Sequence, residues 1–371
     1  MPSVAIDGRM WGSGFTGIGY YVREVATRLF YLLPEVSFTL FLPPNISEDL
    51  SFSENVRILL APEPIYSCAE QWSFFRHIRS VHADITWFPH CNVPFLFRSP
   101  FLVTIHDLTL MRYPGKKMGN WYQRFAFQKV FSHALQHSSG ILSVSEYTKK
   151  DLLSFLPLSS EKISVTPLGI DMKRYQSPNP EKIAEFKNRF TSPFFLVSGV
   201  WREHKNVPGA ITAFEMYRKY GGKGSLVITG KPDPFYNEVR LMAESSPFSK
   251  NIFLTGFLPE NDMPALFSAA DALLFPSFSE GFGLPVLEAM SAGTPVCASN
   301  ATSLPEVCGD AALFFRPGNY EEMALAMVDV LQEKTRNRLV AEGRKRATLF
   351  SWDTTAQKTG EALRPFLSSV L

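Results

Sequence analysis

Short apolar runs of three to seven residues recur along the chain and alternate with stretches in which apolar residues return every three or four positions. In the first half the runs are VAID (4–7), VSFTLFL (36–42), ITWF (85–88), FLVTI (101–105), ILSV (141–144) and ISVT (163–166). In the second half they are FFLVS (194–198), SLVIT (225–229), IFL (252–254), ALLF (272–275), PVCA (295–298) and ALFF (312–315). Runs this apolar suit strands buried on both faces of a parallel sheet. Between them, Ile18, Val22, Val25, Leu29 and Leu33 repeat near the helical period, as do Met263, Leu266, Phe267 and Ala270. Strand alternating with helix predicts a doubly wound α/β fold, and six runs in each half predict it twice.

The polar segment DMKRYQSPNPEKIAEF (171–186), with two prolines, reads as the linker. It divides the chain into a first domain at 1–171 and a second at 172–351, leaving 352–371 as a helical stretch after the second sheet is complete. A length of 371 residues agrees with two domains. The net charge of +2 argues against a protein built to bind nucleic acid. The N-terminal residues lack the basic and apolar regions of a signal peptide, and no apolar run reaches the roughly 18 residues of a membrane span. The four cysteines have no CxxC spacing and read as free thiols, so a cytoplasmic protein is expected.

In open α/β sheets ligands bind beyond the carboxyl ends of the strands. Glycines and ionisable residues gather there in this sequence, and two such rims would face each other across an interdomain cleft. The most informative stretch is SEGFGLPVLEAMSAGTPV (279–296). Pro285 marks the first turn of a helix and Gly293 its end. The amides of Phe282, Gly283 and Leu284 then lie at a helix N-terminus, which favours an anion. Glu280 and Glu288 flank that point. Carboxylates do not bind an anion, but they accept hydrogen bonds from hydroxyls on either side of it, as a nucleoside diphosphate sugar offers. The plainer alternative makes Glu288 a capping or ion-paired group and Glu280 a solvated loop residue.

VSGVWREHKNVPGAITAF (197–214) places Arg202, His204 and Lys205 in a loop between a strand and a helix. A cation there stabilises charge that develops on a departing diphosphate; the alternative is a solvated basic loop. VTIHDLTLMRYP (103–114) sets His106 and Asp107 at another strand end. The first loop, DGRMWGSGFTGIGYYVREV, holds five glycines between Gly8 and Gly19. Gly17 and Gly19 are expected between strand and helix, where amides approach a phosphate, or else in a plain turn.

The stretch FPSFSEGFGLPVLEAMSAGTPVCASNATSLPEV resembles the E-x7-E signature of retaining, nucleotide-sugar-dependent glycosyltransferases of the GT-B fold (family 4, group 1). The resemblance implies two Rossmann-like domains, with the last helix crossing back to the first. It implies that Glu280 touches donor-sugar hydroxyls, that Glu288 touches the ribose, and that the amides at Phe282 to Leu284 contact sugar and diphosphate. Lys205 resembles the lysine that neutralises the leaving diphosphate. The family often has an arginine directly after the strand's glycine; here that place is Val200, so Arg202 or His204 is the candidate second positive charge. His106-Asp107 resembles a segment whose histidine approaches the anomeric carbon, with Asp107 assigned to the acceptor side. SVSEYTKKDL (143–152), VTPLGID (165–171), TGKPD (229–233) and LTGFLPENDMPALFSAAD (254–271) are similar to further landmarks, and Phe257 is placed beside the nucleotide base. VTPLGID departs from the pattern in having Leu168 where asparagine is usual.

The implied reaction moves a hexose from a nucleoside diphosphate sugar to a glycan or lipid-linked saccharide with retention. The chain has no Asp-x-Asp, so neither a metal nor another cofactor is expected. The start DGRMWGSGFTGIGYY looks similar to O-antigen mannosyltransferases, which makes GDP-mannose the first choice of donor. A UDP-sugar donor, a glycosidase using Glu280 and Glu288, and a catalytically silent sugar-binding protein are the alternatives.

No acidic residue occurs between Asp107 and Glu146, whereas Arg112, Lys116, Lys117, Arg124 and Lys129 interleave with Tyr113, Trp121, Tyr122, Phe125, Phe127 and Phe131. This composition suits contact with an anionic membrane surface or lipid diphosphate through 112–131 at the inner membrane face. The alternative is a helix whose aromatics pack inward.

Overall fold

The computed structural model describes residues 1–12, 16–44, 46, 50–116 and 119–367. Gly14, one of the five glycines of the first loop, and Lys117 lie outside the described residues. The chain forms two compact units. The first comprises Met1–Met111, Met118–Gly169 and Ser351–Leu371; the second comprises Arg112–Lys117 and Ile170–Phe350.

Among the described residues of the first unit, seven strands make one sheet: β1 (Ser3–Asp7), β2 (Ser37–Leu42), β3 (Val56–Leu60), β4 (Ile85–Phe88), β5 (Phe101–Ile105), β6 (Gly140–Ser143) and β7 (Ile163–Val165). Their order is β3-β2-β1-β4-β5-β6-β7, with every neighbouring pair parallel. The sequence pattern predicts six. The additional strand, β3 (VRILL), is an edge strand with no buried side chain, and Arg57 interrupts its apolar run. The core beneath the sheet is rich in phenylalanine, including Phe41, Phe74, Phe88, Phe97, Phe101 and Phe131.

The helix Thr16–Leu32 buries Val22, Val25, Ala26 and Leu29, the spacing of one helical face. The last helix, Trp352–Leu367, lies against it in the same unit. Trp352 meets the rings of Tyr20 and Tyr21, and Gly360 brings the second helix close to Leu29. Thr355 Oγ1 donates to the Pro167 carbonyl (2.6 Å).

In the second unit β8 (Phe194–Ser198), β9 (Ser225–Thr229), β10 (Ile252–Gly256), β11 (Ala272–Phe275), β12 (Val296–Ser299) and β13 (Ala312–Phe315) form a parallel sheet of order β10-β9-β8-β11-β12-β13. Strand order reverses between β8 and β11, as it does between β1 and β4 in the first unit. Such reversals open a crevice at the strands' carboxyl ends.

Two sequence expectations change. The supposed linker is helical: Met172–Gln176 and Pro180–Arg189 are helices of the second unit. Asp171 and Asn179 cap them through their side chains, Pro180 occupies the first turn, and Tyr175 and Phe186 are buried. The segment following Met111, which the sequence leaves in the first domain, belongs with the second unit. Tyr113 stacks near Phe278, and Lys116 pairs with Glu238. No described helix is long and apolar enough to cross a membrane.

Gly230, directly after β9, has φ +135°, and a Cβ there would lie 1.8 Å from the Gly199 carbonyl oxygen. The ends of β8 and β9 therefore meet backbone to backbone. Gly230→Ala is expected to lower stability by about 2 kcal/mol, measured by urea unfolding against the parent chain.

Candidate functional site

The loops that leave β8 and β11 in the second unit are bound to each other. The Lys205 ammonium reaches both oxygens of Glu280, at 2.7 and 2.8 Å. Asn206 Nδ2 donates to the Pro276 carbonyl (3.1 Å), and the Phe278 amide donates to the His204 carbonyl (2.7 Å). Asn206 adopts the left-handed conformation that lets the chain turn from Glu203–Lys205 into the helix Val207–Lys219. Gly199 leaves room beside the Lys205 stem, and the ammonium lies 5.5 Å from the centre of the Phe275 ring.

Glu280 is held on its far side by residues that the sequence reading did not single out. Its amide donates to Thr302 Oγ1 (2.9 Å). Ser303 Oγ bonds the carbonyls of Glu280 and Phe282 (3.0 and 3.1 Å), and Ser299 Oγ bonds the Ser277 carbonyl (2.5 Å). Hydroxyls at and after the end of β12 thus fix the shape of the loop after β11. In sequence they read only as loop composition.

Gly283, at φ +105°, is the N-cap of the helix Leu284–Ala292, with Pro285 in its first turn and Gly293 at its C-cap. Among the described residues the amides of Phe282, Gly283 and Leu284 have no protein acceptor. Phe282 itself is buried against Phe350. Donors without partners at a helix N-terminus, near a lysine, make a site for an anion.

Glu288, one turn into that helix, stands apart from Lys205. Its Oε1 accepts from the buried Tyr175 hydroxyl at 2.7 Å. Burial raises its pKa, opposed by the Tyr175 hydrogen bond and the nearby Arg174 charge. Tyr175 belongs to the helix that the sequence reads as linker, so its part at the site was hidden. Phe257 follows β10 and is 61% exposed. Arg202 is exposed and begins the turn that carries Lys205. His204 is pushed down to about 3 by burial and by the charges of Lys205 and Arg202, so it is neutral near pH 7 and supplies no second positive charge.

In the first unit, His106 follows β5. Its Nε2 lies 2.9 Å from the Pro89 carbonyl, which can only accept, so Nδ1 carries the lone pair. The ring meets Tyr21 edge-on, and burial lowers its pKa. Asp107 is exposed, and its Oδ1 accepts from the Thr109 amide (2.8 Å), closing a turn. Gly17 and Gly19 lie within the first turns of the helix Thr16–Leu32, not in a loop before it. A Cβ on Gly19 would fall 2.2 Å from the Gly12 carbonyl oxygen, so this glycine serves close packing of helix on loop. Nearby, Arg9 is buried between Asp7 and Glu70 and lies over the Phe74 ring, a rigid brace at the end of β1.

Two family models match: Glycosyltransferase Family 4 over residues 15–174 and Glycosyl transferases group 1 over 179–346. The chain is 27% identical to O-antigen chain mannosyltransferase B of Escherichia coli over 268 residues, 71% of this chain and 70% of that one. It is 27% identical to the serotype-specific mannosyltransferase WbdA of Escherichia coli over 323 residues, which is 84% of this chain but 38% of that longer protein. MMP alpha-(1->4)-mannosyltransferase of Mycolicibacterium hassiacum is 27% identical over 70% of this chain and 64% of its own length. Among solved structures, sucrose-phosphate synthase from Thermosynechococcus elongatus superposes with a TM-score of 0.80 at 18% identity, covering 100% of both chains. HepE of Anabaena, solved with UDP and glucose, gives 0.74 at 15% identity over 98% of this chain and 100% of its own.

The depressed histidine predicts an acid-sensitive fold. His204 takes up its proton near 6.5 when unfolded but only near 3 when folded, so the unfolded state binds more protons between those values. Its contribution to stability is complete above about pH 6.5 and declines as pH falls toward 3. Thermal melts from pH 7 to 4 are expected to show a shallower loss of Tm in His204→Gln than in the parent chain.

Proposed function

Since the chain is a GT-B glycosyltransferase resembling O-antigen mannosyltransferases, we propose that it transfers mannose from GDP-mannose, with retention, to a growing polysaccharide acceptor. The observation that carries the reading of the second unit as the donor unit is the cluster at its strand reversal. Lys205 paired with Glu280 lies there beside three amides that have no acceptor among the described residues, with Glu288 one turn into the helix. Mannose, as opposed to another hexose, rests on the relatives named above.

The donor diphosphate lies at the amides of Phe282 to Leu284 with Lys205 beside it. As the bond between the anomeric carbon and the phosphate oxygen breaks, negative charge grows on the diphosphate. Preoriented amides and a fixed ammonium stabilise that charge without reorganising. Glu280 already accepts from Lys205 through both oxygens, and a carboxylate retains further lone-pair sites for the sugar hydroxyls. The acceptor oxygen forms its bond to the anomeric carbon on the face the diphosphate leaves. Its proton passes to the departing phosphate oxygen. No step needs a metal, in keeping with the lack of any Asp-x-Asp in the chain. Glu288 receives the ribose and Phe257 the base. From the first unit, His106 acts as a neutral imidazole in donor positioning and Asp107 serves the acceptor.

The helix Trp121–His137 presents Trp121, Tyr122 and Phe125 to solvent, Trp121 at 78% exposure, together with the cations Arg124 and Lys129. Its first turns do not pack inward. We assign this face to an anionic lipid surface, where the indole and phenol rings sit at headgroup level.

GDP and GDP-mannose are expected to raise the Tm of the folded protein. Lys205→Ala and Glu280→Gln are each expected to lower kcat by about 100-fold and, by leaving a largely buried charge unpaired, to lower Tm. A response only to UDP-sugars replaces the mannose donor and keeps the class; no response to any nucleotide in folded protein overturns the transferase reading. For the lipid face, Trp121→Ala with Phe125→Ala is expected to weaken binding to phosphatidylglycerol vesicles at least about tenfold. Equal binding by parent and variant would remove the assignment.

A further inference from the structure

Glu280 and Glu288 share a motif but not an environment. Glu280 meets a cation. Glu288 meets, among the described residues, one hydrogen-bond donor, the Tyr175 hydroxyl, on Oε1. Tyr175 is buried and its ring also contacts Phe267, so the hydroxyl has a fixed position. The short helix that carries it, Met172–Gln176, is tied down at three points. The Asp171 carboxylate caps it, accepting from the Arg174 amide (3.3 Å). Arg174 forms an ion pair with the Glu260 carboxylate and donates to the Glu260 carbonyl at 2.5 Å. Ser291, on the same helix as Glu288, bonds the Met172 carbonyl (3.5 Å).

We propose that Tyr175 is a positioning residue for nucleotide recognition: it fixes Oε1 of Glu288 and turns Oε2 toward the ribose hydroxyls of the donor. The inference rests on the reading above in which Glu288 receives the ribose. A buried carboxylate without a donor would favour its protonated form, and a protonated carboxyl is a poorer acceptor for two vicinal hydroxyls. The Tyr175 hydrogen bond opposes that drift, and the Arg174 charge acts in the same direction. The Glu260 charge works against it and is itself engaged by Arg174. The segment that looks like a linker in sequence is thus part of the nucleotide site.

The test compares GDP and UDP with their 2′,3′-dideoxy counterparts by calorimetry in the parent chain, Glu288→Gln and Tyr175→Phe. The parent is expected to prefer the ribonucleotide. Tyr175→Phe should weaken ribonucleotide binding about tenfold while leaving the dideoxy affinity unchanged, so that its preference falls to that of Glu288→Gln. The unchanged dideoxy affinity shows that the site is intact, which a merely structural loss would not give. Tyr175→Met is carried in parallel, so that a folding failure of one variant does not remove the comparison. If the tyrosine variants keep the full preference while Glu288→Gln loses it, the positioning role of Tyr175 is overturned and the ribose reading stands. If the parent shows no preference for the ribose hydroxyls, the role of Glu288 falls, and that of Tyr175 with it.

Discussion

The ion pair between Lys205 and Glu280 organises the second unit's site. It joins the loops after β8 and β11, the two strands at which sheet order reverses. Both partners are largely buried, so each without the other would be a desolvated charge. The pair therefore sets the separation of two segments 75 residues apart in sequence. The bonds from Asn206 to Pro276 and from Phe278 to His204 hold the same seam through the backbone. What remains at the rim is a cation whose position is fixed before any ligand arrives, which is the condition for electrostatic stabilisation without reorganisation.

The helix Leu284–Ala292 gives the two glutamates of one motif different neighbours. Glu280 precedes the N-terminus and faces a full positive charge; Glu288 lies a turn later and faces a neutral phenol. Gly283 makes the sharp entry possible, because its left-handed conformation is one that residues with a Cβ rarely adopt. The amides that the entry leaves open suit an anion.

Much of this was legible in the sequence. Twelve apolar runs correspond to twelve of the strands, and the central ones are apolar throughout because they are buried on both faces. The signature was readable because Pro285 and Gly293 mark helix ends through backbone geometry alone. What escaped was whatever depends on tertiary partners. β3 is as apolar as the other runs apart from Arg57, but it lies at an edge with none of its side chains buried. The segment 171–186 looked like a linker because its helices are short and polar outside, and only Tyr175 and Phe186 betray an inner face. Thr302 and Ser303 act through hydroxyls that any loop contains. Gly19 resembled a phosphate-loop glycine, although its role is to let a helix touch a carbonyl. The aromatics of the helix from Trp121 looked alike in sequence, and only the fold shows Trp121, Tyr122 and Phe125 at the surface and Phe131 in the core.

The hydroxyls of Ser299, Thr302 and Ser303 have a consequence for anyone who would treat the E-x7-E segment as a portable part. Residues 277–288 keep their shape because a second segment, eleven residues beyond Glu288 at its nearest point, supplies the bonds to their backbone. Cutting between the two and joining the first piece to a foreign strand would transfer the letters of the motif without its mould. Because Lys205, Asn206 and His204 hold the same loop from the other side, the smallest piece worth grafting in a chimera runs from β8 through Ser303.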